Sequence, residues 1–375
     1  MCGILKRVPR NYKRGLIPVD NKVGIIGHFG GGHEFFDGQT VKTKVLYKEL
    51  RNSGYDNIFC VDTYYNNTNK AKLLWDTIKC ILSCKAIILL LSGNGMSIYF
   101  PMMYYVKKVF RRRVFHDVIG GNLASYVDRY PKYKRYLNSF DGNWVEFEKM
   151  KESLCELGIT NCIVIPNFKR LNTSVAKLKI DEEEQFKLCM FSRVMEEKGM
   201  TEAIEAVHRF NEKNKKNLLL EIWGPIDKSY KAEFEALLEK YKSDVEYKGI
   251  VDYSKSVETL TNHLALLFPT HWDGEGFPGT IVDAYAAGVP VIASDWNANA
   301  ELINNFETGW VYPNERVKNL DESLEWVAGH LDEMLEMRQK CRDKAKEFMP
   351  TTWICKIVTL IEGEECYDKG SFADS

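Results

Sequence analysis

Two rhythms of apolar residues alternate along this chain. Runs of strand length, over 22–28, 57–61 and 86–91, are separated by stretches whose apolar positions fall on one helical face, such as Val41, Val45, Leu46 and Leu50 after Thr40. The first rhythm predicts buried strands, the second helices that bury one side. A helix is predicted over 71–83, the end of a strand over 114–116 and another strand over 162–165. Pro166 and Asn167 then break the pattern. From Phe186 the alternation restarts, with strands over 187–191, 218–223, 245–247, 264–268 and 289–293. Helices are expected over 201–211, 229–240 and 279–287, then a long one over 320–348 and a last one over 351–361. Strand and helix in regular alternation is the grammar of parallel, doubly wound α/β sheets. The chain has 375 residues, more than one ordinary domain holds. The economical architecture is two facing Rossmann-like domains with a cleft between them and a hinge near Pro166, one over 1–168 and one over 169–350.

Composition narrows the class. Hydrophobic residues make up 45% and charged residues 27%, as in a soluble globular protein. No apolar run approaches the roughly 18 residues that a bilayer-spanning helix needs. The basic, loose stretch over 1–20 lacks an apolar segment of signal-peptide length, so export is not expected. The ten cysteines form no CxxC pair, which fits reduced thiols in a cytoplasmic protein. The net charge of −1 conceals an asymmetry: residues 1–166 hold 25 Lys and Arg against 14 Asp and Glu, and the remainder carries −12. Opposite charge in two halves points to domains with different partners. Nucleic acid is disfavoured, because no module for it appears and the second half is acidic.

The densest chemistry lies over 275–294. Glu275 sits in a loop with Gly276, Phe277, Pro278 and Gly279; Thr280 and Ile281 follow, and Asp283 falls in the first turn of the predicted helix. Gly288 stands where a left-handed helix cap takes glycine. A loop between a strand and a helix in such a crossover lies at the carboxyl edge of the sheet, where α/β folds bind ligands. Free amides at a helix start favour a phosphate, and two nearby carboxylates suit sugar hydroxyls. Taken alone, two acids there would also simply suit the helix dipole.

This stretch resembles the signature of retaining glycosyltransferases of family 4, which have the GT-B fold: a glutamate, seven residues, a second glutamate, an Ala- and Gly-rich helix and a Pro-Val-Ile strand. The chain departs from it in having Asp283 for the second glutamate, one methylene shorter. The resemblance implies that Glu275, as an exposed pocket residue, contacts the donor sugar and Asp283 the ribose of the nucleotide. It further implies that Arg193 and Lys198, after the strand ending at Phe191, neutralise the donor diphosphate. The glycine turns at Gly224 and Gly249 would let the backbone approach the donor, with Ile250 against the base. Glu301 matches a frequent glutamate of the family, and a structural role at a helix start explains it equally. The last segment, 351–375, would pack back on the first domain.

In the first domain, Gly30, Gly31 and Gly32 lack the spacing of a dinucleotide fingerprint. By resemblance Gly31 belongs to a loop bordering donor phosphate and acceptor; a mobile surface loop is the alternative. His116 resembles an acceptor-side histidine that hydrogen-bonds near the reacting sugar, oriented by Asp117, or it is a structural histidine. Residues 98–113 interleave aromatic and basic side chains, with Pro101 placed to open a helix. They read as a contact with an anionic membrane surface or as a core helix with a solvated basic end.

The resemblance therefore implies a metal-independent, retaining hexosyltransferase without a cofactor. Its partners would be a nucleotide sugar, UDP-linked, and a saccharide or lipid-linked saccharide acceptor in surface polysaccharide synthesis. It would be cytoplasmic, with peripheral contact at the inner face of the membrane. A GT-B nucleotide-sugar epimerase and a non-catalytic sugar-binding protein are the competing readings. A phosphorylase is disfavoured, because no pyridoxal-phosphate lysine motif is recognisable.

Overall fold

The computed structural model describes residues 22–33, 35, 37–172, 186–214 and 218–363; the basic stretch over 1–20 lies outside them. The first domain runs β1 (Val23–Gly27), α1 (Gly38–Asn52), β2 (Ile58–Asp62), α2 (Lys70–Ser83), β3 (Ala86–Leu90), α3 (Gly93–Phe110) and β4 (Arg113–Asp117). It continues with α4 (Leu123–Arg129), α5 (Lys132–Leu137), β5 (Gly142–Val145), α6 (Glu148–Glu156) and β6 (Cys162–Val164). The second domain opens with β7 (Phe186–Phe191), α7 (Met200–Lys213), β8 (Leu218–Trp223), α8 (Lys231–Lys240), β9 (Val245–Gly249) and α9 (Ser256–Leu260). Then come β10 (Ala265–Phe268), α10 (Gly279–Ala287), β11 (Val291–Ser294), α11 (Asn299–Leu302) and β12 (Gly309–Tyr312). The helices α12 (Leu320–Gly329), α13 (Leu331–Ala345) and α14 (Pro350–Glu362) close the chain.

Each domain is built on a six-stranded parallel sheet, in the orders β2-β1-β3-β4-β5-β6 and β12-β11-β10-β7-β8-β9. The central strands are covered on both faces, which is why β1 and β3 are apolar at every position and fully buried. In α7, Met200, Ala203, Ile204, Val207 and Phe210 are buried at helical spacing, and the helix lies on β8 and α12. α10 is buried from Ile281 to Ala287; its small side chains let it settle against α9 and α13. It ends, as expected, on Gly288 in the left-handed conformation, at φ 71°.

Three expectations change. The long helix over 320–348 is two helices, α12 and α13, separated at His330, whose backbone leaves the helical region at φ −133°. α13 then opens with Asp332 and Glu333 in its first turn, a fresh helix start in its own right. Pro101 lies inside α3 rather than at its start, since the helix begins eight residues earlier after Ser92. β5 and β12, four residues each, carry too short an apolar signal to be read from the sequence. The last helix returns to the first domain: Ile354, Ile357 and Ile361 share a core with Val23, Ile25 and Leu50.

α13 also braces the second domain from beneath. Arg338, buried among apolar side chains, donates to the carbonyls of His263 at 2.9 Å and Thr261 at 2.8 Å. Burial lowers its pKa to about 10, with Arg342 adding to the effect. Removing it leaves two buried carbonyls without their donor. Arg338→Ala is therefore expected to cost about 3 kcal/mol of unfolding free energy in urea titrations; a loss below about 0.5 kcal/mol would show that water replaces it.

Candidate functional site

The carboxyl ends of the strands of the two domains meet, and the loops there carry most of the residues singled out above. In the second domain the chain leaves β7 through Ser192 and Arg193. It is held there by β8, for Ser192 donates its amide to the Trp223 carbonyl at 3.1 Å. The next residue, Gly224, has φ +137°, and a Cβ on it would lie 1.9 Å from the Ser192 carbonyl oxygen. No side chain fits that approach. Arg193 is thereby left exposed, without an ion pair among the described residues.

A single 3-10 turn, Glu196–Lys198, follows and turns Lys198 inward. Its ammonium pairs with the Glu275 carboxylate and lies 4.5 Å from the centre of the Trp272 ring. Thr270 Oγ1 donates to the same carboxylate oxygen at 3.1 Å. Burial holds the Lys198 pKa below the ordinary lysine value, Glu275 opposes the shift, and Arg193 adds to it. Glu275 and Lys198 are each 7% exposed. Glu275 is thus not the exposed pocket residue that the sequence implies: Lys198, Thr270 and the Trp272 ring enclose it.

Gly276 and Phe277 face the first domain. The Phe277 amide donates to Glu146 Oε2 at 2.8 Å, and its ring packs edge-on against Phe348 at 5.5 Å. α10 starts at Gly279 with no side chain capping it, and the space a Cβ on Gly279 would enter is empty. Its first amides are the orphan donors that attract an anion. Thr280 lies half-buried in the first turn and Ile281 is fully buried. Asp283 is also buried and forms an ion pair with Lys169, from the segment joining the domains. Burial raises its pKa, and Lys169 and Ser256 oppose that shift. Ile250, just beyond β9, is 64% exposed.

In the first domain, His116 lies within the sheet, in register between Leu89 and Asn143. It is fully buried, 4.8 Å from the Phe100 ring, so the imidazole sits in the core and not on the facing surface. Burial drives its pKa down to about 3, with Lys42 adding to the effect. The next residue, Asp117, is the polar group at the strand end. It belongs to a buried set that the sequence does not reveal: Lys42 Nζ lies 2.7 Å from Asp117 and 2.8 Å from Glu146. Burial raises the Asp117 pKa to about 6 against the pull of Lys42. Burial also works against the Lys42 charge, but the two carboxylates outweigh it and its pKa ends above the ordinary value. The glycine loop is anchored by Asp62, whose carboxylate accepts from the amides of Phe29 at 2.8 Å and Gly31 at 2.7 Å.

The two halves touch directly. A Cβ on Gly121 would lie 2.0 Å from the Glu275 carbonyl oxygen, and one on Gly276 would lie 2.7 Å from Glu146 Oε2. Glu301 does not act at its own helix start: its carboxylate accepts from the amides of Glu148 and Lys149, each at 2.7 Å, and so caps α6 of the first domain. Asn297 donates to the Glu275 carbonyl at 2.9 Å. The structure thus gathers Arg193, Lys198, Gly224, Glu275, Gly276 and Gly279 on one side, with Gly31 and Asp117 at strand ends of the other. His116 and the Asp283 carboxylate lie beneath the surface.

The family model of glycosyl transferases group 1 matches residues 172–348. The D-rhamnosyltransferase WbpZ of Pseudomonas aeruginosa is 26% identical over 125 residues, 33% of this chain and 32% of that protein. WcaL of Escherichia coli, by name a colanic acid biosynthesis glycosyltransferase, is 27% identical over 164 residues, 41% of this chain and 39% of that protein. The match thus spans well under half the length of either relative. Among solved structures, HepE of Anabaena in complex with UDP and glucose superposes with a TM-score of 0.68 at 13% identity, over 92% of this chain and 100% of that one. The sucrose-phosphate synthase of Thermosynechococcus elongatus gives a TM-score of 0.69 at 14% identity, over 92% and 98%. These likenesses establish the GT-B fold.

The enclosed ion pair makes Glu275 structurally costly to remove. Glu275→Ala, which strands the Lys198 ammonium, is expected to lose about 3 kcal/mol of stability in urea unfolding; an unchanged midpoint would show the pair to be dispensable. The buried neutral imidazole links stability to pH. With its pKa at about 3 in the fold, below the ordinary 6.5, His116 contributes stability that is complete above pH 6.5 and is lost as pH falls toward 3. His116→Leu should therefore show a smaller drop in urea midpoint between pH 7 and pH 4.5 than the parent protein; an equal drop would place the imidazole in contact with water.

Proposed function

We propose that this chain, which matches the family model of glycosyl transferases group 1 over residues 172–348, transfers a sugar from a nucleotide-sugar donor to a hydroxyl with retention of anomeric configuration. The observation that carries the proposal is the convergence of one exposed cation, one buried cation and an uncapped helix start beside a carboxylate. Arg193, Lys198 and the first amides of α10 form a positive surface fit for a diphosphate. Glu275, held by Lys198 and Thr270, is the carboxylate that accepts from donor-sugar hydroxyls.

The acceptor oxygen forms its bond to the anomeric carbon on the face from which the diphosphate leaves. The carbon–oxygen bond to the β-phosphate breaks, and the departing phosphate oxygen takes the acceptor proton. The negative charge that grows on this leaving group is met by Arg193, Lys198 and the α10 amides, so the protein supplies the neutralisation that a metal ion would otherwise provide. No side chain serves as a covalent nucleophile in this scheme.

The exposed Ile250 and the turn at Gly224 receive the base. Thr280 and Ile281 position the first turn of α10 beneath the phosphates. Asp283 meets the ribose once Lys169 releases it. UDP is the nucleotide favoured, since HepE, which shares the fold, is solved with UDP and glucose. The acceptor, a saccharide or lipid-linked saccharide of a surface polysaccharide, enters past Asp117 and the loop at Gly31. This setting is favoured by the colanic acid biosynthesis in the name of one relative, and the reading includes work on the cytoplasmic side of the membrane.

Incubation with a panel of nucleotide sugars tests the proposal. Slow donor hydrolysis, or a glycosylated product of retained configuration by NMR, is expected. Epimerised donor in the absence of acceptor, or binding without turnover, would overturn it. Because Arg193 is exposed, Arg193→Ala should lower turnover by about 100-fold with an unchanged unfolding midpoint; unaltered turnover would remove Arg193 from the site.

A further inference from the structure

The residues left unused by this chemistry gather at one corner of the first domain. α2 and α3 lie side by side on one face of the sheet, joined by Thr77 and Tyr99 hydroxyls 3.0 Å apart. At their far ends, Arg112 donates to the carbonyls of Ile81 at 3.0 Å and Leu82 at 2.9 Å. Each helix gives one stripe to the sheet and leaves a second apolar stripe facing outward. On α2 the outer stripe is Leu74, Ile78 and Leu82, four residues apart and 60%, 40% and 59% exposed, with Trp75 beside them at 58%. On α3 Tyr105 and Val109 are 62% and 70% exposed, and Phe110 follows. So many large apolar side chains on one face mark a surface that something covers.

Both stripes run toward the base of the sheet, the edge opposite to Asp117 and Glu146. A cleft of about 270 Å³ opens there. Its walls are the residues that enter three parallel strands: Lys22 before β1, Lys85 before β3, and Arg111, Arg112 and Arg113 at β4. Glu362 is the acid among the lining residues, and its carboxylate already accepts from Tyr55 at 3.0 Å. Arg112 and Arg113 are partly engaged by backbone carbonyls, and half-buried Lys22 lies over the Phe59 ring, which leaves Lys85 and Arg111, both exposed, as the cations free to meet a ligand.

We propose that this corner docks on an anionic lipid bilayer. The outer stripes of α2 and α3 enter the interface, and Lys85 and Arg111 hold lipid phosphates at the mouth of the cleft. Charge decides the occupant: apolar stripes ending in a cationic cleft complement a layer that is apolar within and anionic at its surface. A second copy of the chain would set like charges against each other across the same face. The segment over 98–113, read from the sequence as a membrane contact, is half of this surface; α2 supplies the rest. The inference uses none of the residues assigned to donor or acceptor, so it stands whichever way the transferase reading falls.

The test is sedimentation of the full chain with vesicles of phosphatidylcholine alone and of phosphatidylcholine with phosphatidylglycerol. Binding to the anionic vesicles only is expected. Lys85→Gln with Arg111→Gln should weaken it by roughly 30-fold, and Trp75→Ser with Val109→Ser by roughly 10-fold or more, with unfolding midpoints unchanged because all four side chains are exposed. Equal binding to neutral vesicles, or affinities that neither pair alters, would overturn the proposal. So would a dimer in analytical ultracentrifugation that Trp75→Ser with Val109→Ser abolishes, and so would binding of inorganic phosphate without binding of vesicles.

Discussion

Glu146 uses both of its carboxylate oxygens, and the apposition of the two domains rests on the result. One oxygen takes the ammonium of Lys42, itself held by Asp117; the other takes the backbone amide of Phe277, across the domain boundary. The group is buried, and such a carboxylate is stable only while its partners stay in place. Shifting the second domain by a few ångströms would strip Glu146 of the Phe277 amide and open the approach of Gly121 to the Glu275 carbonyl. The motif loop over 274–277 is therefore positioned from both sides: Asn297 and Lys198 hold it from within its own domain, and Glu146 from without.

Under the proposed function the buried pair of Lys198 and Glu275 would have two duties that pull in opposite directions. As a structural element it compensates two charges that burial alone would not tolerate. Under the proposed function it would also let Lys198 turn toward an incoming diphosphate and Glu275 toward sugar hydroxyls. The partners would then be exchanged rather than lost: Lys198 would trade a carboxylate for a diphosphate, and Glu275 an ammonium for sugar hydroxyls. Burial lowers the pKa of Lys198; a diphosphate nearby would raise it and so favour the charged form that binds it.

Much of the architecture was legible because buried parallel strands are apolar at nearly every position, and β1, β3 and β10 stand out for that reason. The loop, helix and glycine cap from Glu275 to Gly288 were legible because their chemistry is local. What escaped was non-local. Glu146 finds Lys42 across 104 residues of sequence, and Glu301 finds the start of α6 across 153. No spacing rule links such pairs, since only the fold brings them together. The same holds for Glu275: its place in a glycine loop suggested exposure, and the enclosing groups, Lys198 and Trp272, come from outside that loop or fold back over it.

The return of α14 to the first domain has a mechanical consequence. The polypeptide crosses between the domains twice, once after β6 and again near Phe348, and the second crossing ends in a helix whose isoleucines lie in the core of the first domain. A body attached at one point can swivel about any axis, whereas one attached at two points keeps chiefly the axis that passes through both. Two tethers leave the domains fewer rotations than one would, and here they touch, for Lys169 donates its amide to the Phe348 carbonyl at 3.1 Å. The Phe277 and Phe348 rings, packed edge-on at 5.5 Å, tie the motif loop to that second crossing.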